Sequence, residues 1–79
     1  MMELTKGDLL ILDETEIVYG VIEKTEYNNN TYVLFVNIDN PEDVLIRIEK
    51  RDEAKFALNP LKDVEEFDYA LKLFSEKLN

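Results

Sequence analysis

The chain has no Cys, no His and no Trp among its 79 residues. Without His and Cys there is no imidazole general base, no thiolate nucleophile, and no metal site built from nitrogen and sulfur. Without Cys there is also no disulfide framework. No run approaches the roughly 18 apolar residues of a membrane span, and the N-terminus is too acidic for a secretory signal, so no membrane partner is expected. Positive charge is scarce: 9 Lys and Arg face 18 Asp and Glu, for a net charge of −9. Phosphate recognition needs clustered bases, but Arg47, Lys50, Arg51 and Lys55 are interleaved with Glu49, Asp52 and Glu53. Direct nucleic-acid binding is not expected.

What is present argues for a folded domain. Apolar residues make up 46% of the chain, with four Tyr and four Phe in short periodic runs, unlike an acidic disordered segment. A chain of this size buries only about 60% of its unfolded surface, so residues 1–79 are read as one domain with a small core. Strands are expected at about 8–12, 17–27, 31–38, 44–50 and 54–58, with one helix at about 63–78.

The Asn28-Asn29-Asn30 run reads as a hairpin turn, because Asn tolerates positive φ. With Asn29 and Asn30 central, Tyr27 faces Tyr32, Thr25 faces Leu34 and Val21 faces Ile38. Tyr19, Val21, Thr25 and Tyr27 then share a face with Tyr32, Leu34 and Val36, while Val18, Ile22, Val33 and Phe35 occupy the other. Gly20 is the expected bulge or bend. Asp39 to Asp43 reads as a polar loop held by Pro41, and Arg51 to Glu53 as a turn.

The helix opens on Asp63 as N-cap, with Glu66 completing a capping box. Val64, Phe67, Leu71, Phe74 and Leu78 recur every three or four residues as its apolar stripe. That stripe needs a cover, and the face carrying Tyr32, Leu34, Val36, Ile46 and Phe56 is the large apolar surface available. The predicted fold is α+β: a curled five-stranded antiparallel meander with one C-terminal helix on one face. A small barrel of the SH3 type is the competing architecture.

Several stretches resemble one family: Glu26 through Phe35, the acidic loop, Val44 through Ile48, and Leu58-Asn59-Pro60-Leu61 through Glu66-Phe67. Over roughly residues 8–78 they are similar to the YrzB-like proteins, small acidic proteins of Gram-positive bacteria and of phages, catalogued as a domain of unknown function. The resemblance implies a cytoplasmic bacterial setting and no active-site residues.

The candidate sites are accordingly not catalytic, and no metal or other cofactor is expected. The loop Asp39-Asn40-Pro41-Glu42-Asp43 lacks the length and mid-loop glycine of a helix-loop-helix calcium site. Two functional readings remain. In one, Val18, Ile22, Val33, Phe35 and Leu45 form an apolar patch for another protein or a second copy, provided that the Leu9–Leu12 strand does not curl over them. In the other, Asp39, Glu42, Asp43, Asp63, Glu65, Glu66 and Asp68 imitate nucleic-acid phosphates and occupy a DNA- or RNA-binding protein.

Overall fold

The computed structural model describes residues 4–12, 15–52 and 55–78. Asp13 and Glu14, the expected turn residue Glu53 and the expected strand start at Ala54 lie outside them. Five strands, β1 (Leu9–Ile11), β2 (Val18–Tyr27), β3 (Asn30–Asn37), β4 (Asn40–Asp52) and β5 (Lys55–Asn59), precede one helix, α1 (Val64–Leu78). Each strand pairs antiparallel with its neighbour in chain order, an α+β meander.

The sheet curls into half a barrel. Leu10 of β1 and Phe56 and Leu58 of β5 pack on one cluster of Leu4, Leu12, Tyr19, Val21, Val33 and Phe35, which fills the hollow. The outer face carries Tyr32, Leu34, Ile46 and Ile48 beneath Ala70 and Phe74 of α1. Among the described residues no pairing of β1 with β5 closes the barrel.

The β2–β3 turn is centred on Asn28 and Asn29, one residue earlier than expected. Both have positive φ (54° and 66°), as a two-residue hairpin turn of the primed type demands, and Asn30 is extended opposite Tyr27. Thr25 therefore pairs with Tyr32, a shift that leaves the faces unchanged near the turn. Further along, the ladder slips between Val21 and Glu23, leaving Ile22 as an extra residue. The slip moves Tyr19 and Val21 into the hollow with Val33 and Phe35, which corrects the expected face assignment.

Gly20 is thus not the bulge. Leu9 and Ile38 close over it instead, to 3.4 and 3.7 Å from where a Cβ would stand. Gly7, at φ 95°, is the glycine whose backbone a side chain would strain.

The expected 39–43 loop is also corrected. Asn37 pairs with Asn40 across a turn at Ile38 and Asp39, and β4 begins at once. The next pair is Val36 with Val44, so Pro41 lies in an irregular stretch where no ladder N–H is required of it. Arg51 and Asp52, expected in a turn, continue β4 and pair with Phe56 and Lys55.

Helix α1 starts where the sequence places it. The Glu66 N–H donates to Asp63 Oδ1 (2.8 Å), and Glu66 Oε1 accepts from the Lys62 N–H (2.8 Å). Its buried face, however, centres on Ala70 and Phe74, while Val64, Leu71 and Leu78 are exposed. Ala70 and Phe74 share one buried cluster with Tyr32, Leu34, Ile46 and Ile48. Phe56, expected under the helix, lies in the hollow instead.

Candidate binding surface

The five residues of the expected apolar patch do not form a surface. Val33 and Phe35 are 0% exposed in the hollow, Leu45 packs partly buried against them, and Val18 is half-buried. Only Ile22 stands exposed, on the bulge. The strand containing Leu10 has curled over the others.

An exposed apolar surface exists on the outer face instead. The register sets Leu9 opposite Gly20 and Ile11 opposite Val18, and Gly20 lies opposite Val36 on the far side. Ile38 is drawn to the same place, because its N–H donates to the Val18 carbonyl (3.1 Å) and its side chain reaches over Gly20. Leu9, Ile11 and Ile38 are 63%, 56% and 52% exposed. The sequence signal was legible only in part: alternation cannot say which face of the continuous run Leu9 to Leu12 is covered.

Six of the seven acidic candidates fall into two groups. Asp39, Glu42 and Asp43 sit at the β3–β4 turn, where Asp43 Oδ2 accepts from Tyr19 Oη (2.9 Å) and Asn37 Nδ2 (3.2 Å). Asp63, Glu65 and Glu66 open the helix at the other end of β3, where Tyr32 Oη donates to Glu66 Oε2 (2.8 Å). From Tyr32 to Asn37 the strand advances about 17 Å, so the two groups do not form one array. Asp68 is exposed in α1, next to a ring that packs on the hairpin.

That packing brings together residues the sequence reading did not connect. Tyr27 of β2 and Tyr69 of α1 approach to 5.0 Å between ring centroids, tilted by 59°. With Tyr32, Asn28, Lys62, Asp63, Glu65 and Glu66 they line an open groove of about 360 Å³. Burial and the bond to Glu66 push the Tyr32 phenol up, and the hydrogen bond with Tyr27 pushes up that of Tyr69. Both oxygens of Glu66 are already committed, to the cap and to Tyr32.

The hollow contains charge as well. Glu49 is buried, and Lys24 Nζ stands 3.1 Å from each of its carboxylate oxygens while donating to the Leu4 carbonyl (2.8 Å). Nearby, the Lys24 N–H and then the Lys6 ammonium hold the Glu23 carboxyl below its usual range, against the opposing effect of burial. Leu4, Thr5, Lys6, Glu23, Lys24 and Lys77 line a second open cleft of about 580 Å³. These contacts tie the N-terminal segment to β2 and β4.

Among the described residues no group of three or more Asp and Glu is arranged to hold a metal ion, and no helix is long and apolar enough to cross a membrane. No curated protein and no solved structure matches the chain significantly. A family model described as "Protein of unknown function (DUF1292)" matches residues 13–79, which takes in β2 through α1 and leaves β1 outside. The chain belongs to the DUF1292 family of proteins of unknown function.

Proposed function

We propose that this domain works by binding another protein and performs no chemistry of its own. The observation that carries the reading is the exposure of Leu9, Ile11 and Ile38 side by side on the outer face of the sheet. Apolar side chains gathered in this way are the usual mark of an interaction surface. The absence of His and Cys from the sequence and the commitment of Glu66 to structural bonds support a non-enzymatic role. The similarity to YrzB-like proteins supports a bacterial, cytoplasmic setting.

Retention of a partner from a bacterial lysate, compared between the native protein and Ile38→Asp, tests the reading. A protein held at high salt by the native chain and lost with Ile38→Asp supports it. Equal capture by both overturns it. The second reading is the phage-type nucleic-acid mimic, favoured by the net charge of −9. Its partner, a DNA- or RNA-binding protein, would leave at moderate salt, because charges more than about 8–10 Å apart are screened there. The separation of the acidic groups along β3 ranks it second.

A further inference from the structure

The exposed surface ends at an open sheet edge. Val21 directs both backbone groups at the N-terminal segment: its N–H donates to the Asp8 carbonyl and its carbonyl accepts from the Gly7 N–H, both at 2.8 Å. The Val18 carbonyl faces the other way and accepts from the Ile38 N–H. Antiparallel alternation then makes Leu10 and Tyr19 the bonded pair, and it aims the N–H and C=O of Leu9 and Ile11 away from β2. Among the described residues no strand pairs with β1 on that side.

Natural edges of this kind are usually protected by Lys, Pro or an inward charge, and the sequence Leu9-Leu10-Ile11 has none of these. From Asp8 onward, charge in the sequence flanking the edge has a single sign. Residues 8–22 contain four Asp and Glu, residues 36–46 contain three, and neither stretch holds a Lys or Arg. All nine basic residues lie elsewhere in the chain.

We infer that a basic, extended segment of the partner adds to the sheet as a sixth strand along β1. The inference rests on the outer face being a partner site. The open backbone groups of Leu9 and Ile11 supply main-chain hydrogen bonds, and their exposed side chains meet alternate apolar side chains of the incoming strand. The acidic surroundings select Lys and Arg and repel a second copy of this chain, which carries the same −9.

A synthetic peptide alternating Lys with Val and Ile is the probe, followed by chemical-shift mapping and fluorescence anisotropy. A Lys→Glu counterpart and a helix-forming peptide of the same net charge are controls. Binding of the strand peptide is expected to shift Leu9 to Ile11 and to weaken with salt. It should also fall at least tenfold in Ile11→Pro, which removes an outward N–H but no β1–β2 ladder bond. Leu9→Lys, an exposed substitution whose positive charge repels the Lys peptide, serves if Ile11→Pro does not fold.

Equal binding by the Glu peptide, by the helical peptide or by both edge variants overturns the inference. So does sedimentation showing that the free protein dimerises through β1. If no peptide binds while lysate capture still depends on Ile38, strand addition fails and the outer-face binding surface stands. Loss of both removes the binding surface itself.

Discussion

Phe35 and Ile38 are three positions apart in the sequence and play opposite parts. Phe35 lies wholly inside the hollow, so Phe35→Asp places an unpaired charge in an apolar core and is expected to cost about 4 kcal/mol or more. Ile38→Asp changes an exposed side chain and should alter stability by about 0.5 kcal/mol or less. Circular dichroism with urea titration separates the two: the first variant should be unfolded and the second native-like. The buried pair gives another test at this scale. Glu49→Ala leaves the Lys24 ammonium in the hollow without that carboxylate, with an expected loss of about 3 kcal/mol in urea. Glu49→Gln keeps the shape and an acceptor, and should lose less.

At the scale of elements, the turn at Asn28 and Asn29 allows a gain. Asn-Gly suits two successive positive φ values better than Asn-Asn, so Asn29→Gly should raise the unfolding free energy, read from a urea titration, by about 0.3 kcal/mol. The five strands, their order and the helix with its Asp63 cap were legible because alternation, turn residues and capping are local signals. The Ile22 bulge was not, since nothing in Val21-Ile22-Glu23 marks which residue the ladder will skip. That one slip reassigned Tyr19 and Val21 to the hollow, and with the curl it moved the candidate surface from Val33, Phe35 and Leu45 to Leu9, Ile11 and Ile38. The helix stripe misled in part. Of the five stripe residues Phe67 and Phe74 do pack on the sheet, but Val64, Leu71 and Leu78 are exposed, and Ala70, outside the stripe, is buried in their place.

For the molecule as a whole, pH acts on the contacts that tie helix and N-terminal segment to the sheet. Tyr32 and Tyr69 hold their protons above the ordinary phenol range in the folded state. Their contribution is complete below the unfolded value near 10 and is lost as pH rises from there towards the folded values. Glu23 works in the opposite direction: its carboxyl is held low, so its contribution is present above the unfolded value and is lost as pH falls through the folded one. A tyrosinate absorbance titration should therefore show a late-ionising component, part of which is absent in Tyr32→Phe. Normal ionisation of all four would contradict the groove packing.

The charge pattern belongs to this scale too. The sequence stretches 8–22 and 36–46, which hold the exposed Leu9, Ile11 and Ile38, carry acid without base. That combination favours a partner with apolar side chains set among basic ones, and it gives association a salt-dependent rate on top of a less salt-sensitive contact.

Because the chain has no native Cys, thiol labelling tests the central claim directly. Single-cysteine variants Ile38→Cys and Lys72→Cys, the second on the exposed side of α1, would be labelled in the free protein and in the captured complex. The account predicts rapid labelling of both in the free protein and selective protection of position 38 in the complex. Equal labelling of position 38 in both states, or protection at position 72 alone, would contradict it.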